Sequence, residues 1–272
     1  MLENRQIAFV GAGAMGGAMI SGVLSCNVVE PSQIIAADPR RDVCDELQRK
    51  YAVNATTNNI VACRDADVIV LSVKPQVLNE VSEDLSGSIG SDALVISIVA
   101  GAKLNTLVAI LNHKSVIRCM PNTPAQIGMG ISVWTGSVGV SSLQNEQTKT
   151  ILESLGKQMY VDDEKYLDMA TALTGSGPAY IFLFMEALVE AGVNIGFSKV
   201  EAEELVHTTM EGSVAYAMKS VDNISDLRSQ VTSSGGTTEA ALDCLESEEF
   251  RRIVSDAVSA AYQRAIELGN NE

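Results

Sequence analysis

The chain has 272 residues, 46% hydrophobic but only 4% aromatic, so a core of Ala, Val, Ile, Leu and Met is expected, in one large domain or two. Its formal net charge of −15 repels phosphate backbones and anionic lipid, which argues against nucleic-acid and membrane-surface partners but leaves room for an anionic small molecule in a local site. Five cysteines with no CxxC pair and no Cys/His cluster read as reduced thiols of a cytoplasmic protein without a metal site.

The chain enters its first strand within a few residues of Met1, with no signal-peptide pattern expected. Gln6–Val10, Gln33–Ala37, Val68–Ser72, Ala93–Ile98 and Ser115–Cys119 read as strands, and Ile131–Thr135 and Gln158–Val161 as two more. Amphipathic segments such as Arg41–Tyr51 and Pro75–Leu85 lie between them. Strand–helix alternation predicts an α/β fold: a doubly wound, mainly parallel sheet with helices on both faces. After Asp162 the texture changes. From Lys165 onward only helical spacing is found, so the boundary is drawn at 162, with a dinucleotide-binding domain over 1–162 and a helical domain over 163–272. Ala179–Val193, with Glu186 and Glu190, reads as a buried core helix, too short and too charged to span a bilayer.

Gly11-Ala12-Gly13-Ala14-Met15-Gly16 follows the first strand and opens a helix. In this context the three glycines have separate physical duties. Gly11 allows a tight turn, Gly13 lets a pyrophosphate approach the backbone, and Gly16 permits close helix–strand packing. The helix start offers free N–H groups and the positive end of a dipole. Asp38-Pro39-Arg40-Arg41 ends the second strand. An acid there suits an adenosine ribose and NAD, an arginine suits the 2′-phosphate of NADP, and with both present the cofactor choice stays open. Ser72-Val73-Lys74-Pro75 and Val99-Ala100-Gly101 end later strands, where ligands of doubly wound sheets bind. Lys74 reads equally as a phosphate or substrate contact and as a surface lysine. The loop Met120-Pro121-Asn122-Thr123-Pro124 is stiff and polar, as a ligand wall would be.

In the helical half, Thr174-Gly175-Ser176-Gly177-Pro178 opens the apolar helix and reads as a cap or a close helix crossing. Val231–Leu242, VTSSGGTTEAAL, is denser in small polar residues than capping requires. Ser233, Ser234, Thr237 and Thr238 surround Gly235-Gly236, where backbone N–H groups can converge on a small carboxylate. No Lys, Arg or His occurs between Lys165 and Lys199. Carbonyl reduction needs a placed proton donor, whereas a protonated imine accepts hydride without one.

FVGAGAMGGAMISG, VKP, VAG, MPNTP, TGSGPAY and VTSSGGTTEAAL, in this order and spacing, resemble the pyrroline-5-carboxylate reductase family over essentially the whole chain. The resemblance implies NAD(P)H-dependent reduction of 1-pyrroline-5-carboxylate to L-proline, the last step of proline biosynthesis. It implies a Rossmann domain followed by a helical substrate-binding domain that interlocks with a second subunit as a homodimer; rings of dimers also occur in the family. By position it implies cofactor contacts at Gly11, Ala12, Gly13, Ala14, Met15, Gly16, Asp38, Arg40, Asn59, Ser72, Val73, Lys74, Pro75, Val99, Ala100, Gly101 and Asn122. It places the substrate carboxylate against Gly236 and Thr237, and it gives Thr238 the catalytic hydrogen bond to the ring nitrogen. Glu164 and Ser233 follow as supporting substrate residues, with Ser176 beside the ring. Asp38 stands where many relatives carry a neutral residue, so NADP(H) and NAD(H) both stay open. The competing readings are a β-hydroxyacid dehydrogenase or related imine reductase, and a dinucleotide-binding sensor without turnover.

Overall fold

The apolar runs of the first half pair into one eight-stranded sheet. Its strands are β1 (Ile7–Val10), β2 (Ile34–Ala37), β3 (Asn54–Thr56), β4 (Val68–Leu71), β5 (Leu94–Ser97), β6 (Val116–Met120), β7 (Gly130–Gly136) and β8 (Gly156–Tyr160). They lie in the order β3-β2-β1-β4-β5-β6-β7-β8, parallel throughout except for the antiparallel β6–β7 pair. The order changes direction between β1 and β4, where a crevice opens at the carboxyl ends of the strands. The computed structural model describes residues 2–270.

Helices α1 (Ala14–Ser25), α2 (Arg41–Tyr51), α3 (Asn59–Cys63), α4 (Leu78–Leu85), α5 (Leu104–Ile110) and α6 (Ser142–Glu153) accompany the strands. Alternation along β1 shows two covered faces: Ile7 and Phe9 join one buried cluster with Met19 and Trp134, while Ala8 and Val10 join another with Ile69 and Leu107. β1, β4 and β5 are therefore buried at every residue, as strands roofed on both sides are. The strand β3 was not anticipated. It has three residues, only one of them apolar, and its pairing with β2 at the sheet edge supplies what its composition does not.

The chain then becomes helical: α7 (Lys165–Ala170), a π-helical turn at Thr171–Gly175, α8 (Gly177–Asn194), α9 (Lys199–Lys219), α10 (Ile224–Gln230), α11 (Thr237–Ser247) and α12 (Phe250–Asn270). Residues 1–176 and 261–272 form one compact unit and residues 177–260 another. The α12 helix thus contributes to both. Its last turns return to the sheet unit, where a Cβ on Gly269 would stand 3.1 Å from the carbonyl oxygen of Gly101 and 3.2 Å from Lys103 Cε.

The expectation of a buried core helix at Ala179–Val193 is corrected. No residue of α8 is buried; Phe182 is 58% and Leu183 67% exposed. Among the described residues of 177–260, Ala202 and Leu227 are the only buried apolar side chains. This unit covers few of its own apolar side chains, so apolar spacing expected to be buried faces outward. The length expectation changes as well. α7, the π turn and α8 run on as one 30-residue segment, Lys165–Asn194, long and apolar enough by length and composition to cross a membrane.

Candidate active site

The glycine-rich turn has the geometry its sequence demands. Gly11 adopts φ +88°, and a Cβ there would meet the Ser72 carbonyl oxygen at 2.7 Å. A Cβ on Gly16 would strike Ser72 Oγ at 2.7 Å. Gly13 differs, because a Cβ added to it meets no atom within 4 Å. Packing therefore does not require that glycine, and the open space is where a phosphate group can approach. Gly13 also caps α1 without any side-chain bond, and the first bond of the helix runs from Gly17 N–H to Gly13 O. The N–H groups of Ala14, Met15 and Gly16 precede it and point outward. A cleft of about 420 Å³ adjoins this turn, lined by Ala12, Gly13, Arg40, Lys50 and Tyr51 among others.

Asp38 is only 4% exposed at the end of β2. Its carboxylate accepts the Ala12 N–H at 3.0 Å and the Arg40 N–H at 3.1 Å, and it holds the Arg40 guanidinium through two further bonds. Burial pushes its pKa up, but the bonds from Arg40 and Ala12 outweigh burial and leave the carboxyl below its ordinary value. Arg41 pairs along its own helix with Asp45. At α3, Asn58 makes the capping bond to Val61 N–H, which leaves the neighbouring Asn59 amide free of hydrogen bonds among the described residues.

Ser72 hydrogen-bonds the Gly11 carbonyl and so ties the end of β4 to the turn. Lys74 is exposed and has no ion-pair partner among the described residues. Gly101 adopts φ +84° in the Val99–Gly101 loop. Asn122 accepts the Ile131 N–H at 2.9 Å and pins the Met120–Pro124 loop to β7. The Thr174–Pro178 segment is no helix cap. It begins in the last two residues of the π turn, and its Gly175 faces Met120, whose Cε would lie 3.1 Å from an added Cβ. π turns recur where a helix serves a site. Ser176 follows with its N–H bound to Thr171 O at 2.9 Å.

Glu164 is held by Arg118, a residue that sequence reading passed over. Arg118 lies in β6, 3% exposed, with Nη1 on Glu164 Oε1 and Nη2 on Asp168 Oδ1, each at 2.8 Å. A lone arginine inside the apolar run SVIRC was the available clue.

In the second unit, the hydroxyl-rich stretch forms a turn leading into α11. Gly235 has φ +71°, and its N–H donates to Glu239 Oε2 at 2.7 Å. The Gly236 N–H donates to Ser233 O at 3.0 Å. Both glycine N–H groups are thus engaged internally, and the free donors lie one step further along. Gly236 is the N-cap and has no side-chain bond, and the first helical bond runs from Ala240 N–H to Gly236 O. This leaves the N–H groups of Thr237, Thr238 and Glu239 at the helix start. The hydroxyls of Ser233, Thr237 and Thr238 have no hydrogen bond among the described residues, and Thr238 is half-buried.

A second cleft, about 640 Å³, lies at the opposite ends of the strands. Arg5, Arg64 and Lys114 face it together with Asp65, Asp67 and Asp92, so its charge selects no ligand class. No group of His, Cys, Asp and Glu able to hold a metal occurs among the described residues.

Residues 164–268 match the family model for pyrroline-5-carboxylate reductase dimerisation, and residues 6–101 match the model for NADP oxidoreductase, coenzyme F420-dependent. The chain is 39% identical over 268 residues to a pyrroline-5-carboxylate reductase of Pseudomonas aeruginosa, covering 98% of each chain. Among solved structures it is similar to the Coxiella burnetii pyrroline-5-carboxylate reductase, at 35% identity and TM-score 0.90 with 97% and 98% of the two chains covered. It is also similar to the Plasmodium falciparum pyrroline carboxylate reductase with NADP bound, at 31% identity and TM-score 0.89 with 98% and 99% covered.

Proposed function

Because the chain belongs to the pyrroline-5-carboxylate reductase family, we propose that the glycine turn of its sheet unit binds the dinucleotide and that the hydroxyl-rich helix start of its second unit binds the substrate. The protein is an oxidoreductase that converts 1-pyrroline-5-carboxylate to L-proline, the last step of proline biosynthesis, with NADP(H) as cofactor. The residues present fit that cofactor. The space over Gly13 and the outward N–H groups of Ala14, Met15 and Gly16 suit a pyrophosphate, and Arg40, Lys74 and Asn59 are side chains within reach of solvent along the same strand ends. Bound NADPH supplies the hydride.

The observation that carries the substrate assignment is the start of α11, where the N–H groups of Thr237, Thr238 and Glu239 and the hydroxyls of Ser233, Thr237 and Thr238 are without partners among the described residues. We assign the substrate carboxylate to the N–H groups beside Gly236 and Thr237, where the helix dipole favours an anion. Thr238 accepts a hydrogen bond from the N–H of the protonated ring nitrogen and orients the C=N bond. No Lys, Arg or His occurs between Lys165 and Lys199, and a protonated imine needs none: its carbon accepts hydride while its nitrogen keeps the proton.

The match of residues 164–268 to the family's dimerisation model supports an oligomeric enzyme. We assign substrate binding and dimerisation to 163–272 and dinucleotide binding to 1–162, with a homodimer formed through the C-terminal helices and open to assembly into rings. The apolar surface of Lys165–Asn194 is then covered by protein, with no membrane involved. Five free cysteines, three of them buried, support a cytoplasmic location.

The test is initial-rate oxidation of NADPH and of NADH with pyrroline-5-carboxylate, for wild type and Thr238→Ala. Wild-type turnover is expected with NADPH, and Thr238→Ala should lose roughly 1–3 kcal/mol of transition-state stabilisation, the worth of one hydrogen bond to a charged group. A Thr238→Ala enzyme with unchanged kcat and KM would remove the role given to that hydroxyl.

A further inference from the structure

We propose that Arg118 is a positioning residue for this reaction, a buried clamp that fixes the Val99–Gly101 loop, the Met120–Pro124 loop and the π turn Thr171–Gly175 relative to one another. The inference rests on the function proposed above and adds a residue with no role in it so far.

Arg118 sits in the middle of β6 between Ile117 and Cys119 and is 3% exposed. A guanidinium buried there without partners would be costly. Its two terminal nitrogens are each taken by a separate carboxylate at 2.8 Å, Glu164 on Nη1 and Asp168 on Nη2. Those acids are four residues apart, at the N-cap and in the first turn of α7, and so share a helix face. Glu164 Oε1 accepts a second bond, from the Leu104 N–H at 2.8 Å, the first residue of α5. One guanidinium and two carboxylates therefore join three segments that are distant in sequence.

Each segment lies a few residues from a loop with an assigned task. Leu104 comes three residues after Gly101, Arg118 two before Met120, and Asp168 three before Thr171. Downstream of the clamp, the Met120 loop and the π turn touch again at Gly175. The fork geometry of arginine is what lets two carboxylates be held at once; a lysine ammonium has the charge but not the span. Stability alone does not account for such a cluster, because well-packed apolar residues commonly replace buried ion triads without loss. This also gives Glu164 its place. Its Oε1 is committed to Arg118 and Leu104, so Glu164 helps to fix the site wall.

The expectation is that loosening the clamp slows the reaction far more than it weakens cofactor binding, since the phosphate turn at Gly11–Gly16 has no bond to it and the clamped loops supply only part of the cofactor contact. Arg118→Met, Arg118→Lys, Asp168→Asn and Glu164→Gln are compared for kcat, KM, NADPH dissociation constant by fluorescence titration, and amide hydrogen exchange. Misplacement of reacting groups by a fraction of an ångström should lower kcat of Arg118→Met by about 30-fold, with the NADPH constant within about twofold of wild type. Arg118→Lys should recover part of that loss, and the two acid variants should each lose about threefold to tenfold. Exchange should rise at 171–176 and stay unchanged at 11–16. Folded variants with wild-type kcat and wild-type exchange at 171–176 overturn the proposal, as does an equal loss of NADPH binding and kcat in all four. If Arg118→Met does not fold, the two acid variants decide by the same criteria. A wild-type protein that turns over no imine would strike the proposed function, whereas the exchange comparison would still decide the clamp.

Discussion

The guanidinium of Arg40 closes on the carboxylate of Asp38 through two bonds, Nε to Oδ1 at 2.9 Å and Nη2 to Oδ2 at 3.1 Å. The cation best placed for an adenosine 2′-phosphate is therefore already engaged by an acid that suits a free ribose. On the proposed site, NADPH has to draw Arg40 away from Asp38, and NADH has to share a carboxylate whose two oxygens already accept bonds from Arg40 and Ala12. Asp38→Ser should shift the ratio of NADPH to NADH dissociation constants toward NADPH by about tenfold, the scale of one charge-assisted contact. Fluorescence titration with both nucleotides checks it, and an unchanged ratio would show that Asp38 does not discriminate.

The same pair predicts an acid-sensitive contribution to stability. Burial raises the Asp38 pKa, but the bonds from Arg40 and Ala12 leave it below its ordinary value of 3.8. A group with a depressed folded pKa stabilises the native state above its unfolded pKa, and that contribution disappears as pH falls through the folded value. Asp38→Asn should therefore be less stable than wild type at neutral pH, and the gap should narrow below a pH of about 4. Urea denaturation at several pH values measures it. A gap that widened on acidification would contradict the assignment.

Two glycines of one turn should respond differently to the same substitution. Gly16→Ala drives a methyl into the Gly11 carbonyl oxygen and to 2.7 Å from Ser72 Oγ, and should cost about 3 kcal/mol or more of stability through overpacking against backbone. Gly13→Ala meets no atom within 4 Å and has φ −68°, a value alanine adopts freely. It should leave the melting temperature nearly unchanged and weaken NADPH binding by about tenfold or more, because the methyl occupies the phosphate approach. Thermal melts set beside nucleotide titrations separate the two.

The bare surface of α8 predicts that folding and association are linked. With Phe182 58% and Leu183 67% exposed in the single chain, the melting temperature should rise with protein concentration. Leu183→Glu, which puts a charge on that face, should shift sedimentation toward monomer and lower the melting temperature. A protein that sediments as a monomer at micromolar concentration without the substitution would contradict this.

What could be read from sequence divides along physical lines. The glycine turn was legible because a strand, a G-x-G-x-x-G spacing and a helix must coincide to produce it. β3 was not, since Asn54–Thr56 has no pattern of its own and owes its strand to β2. The π turn was hidden because TGSGP looks like a break, while the backbone instead widens one turn and continues. The outward face of α8 was misread as core for a simpler reason. Apolar spacing records that a face is covered but not whether the cover comes from the same chain. The hydroxyl-rich helix start was legible in composition; which N–H groups stay free was not, because Glu239 reaches back to Gly235 and only coordinates reveal that bond. Arg118 escaped since its partners lie 46 and 50 residues away.

The double membership of α12 bears on how this architecture can be handled as a piece of genetic text. The sheet unit comprises residues 1–176 and 261–272, so it is not one continuous stretch of gene. A fragment ending at either proposed or observed border omits the final helical turns that lie against Gly101 and Lys103. The nucleotide-binding half is therefore no portable cassette. Transplanting it requires two joints, or a permuted chain in which residue 176 is sewn to residue 261 by a linker, and exchange of parts between relatives by a single crossover would leave the recipient with another protein's closing turns.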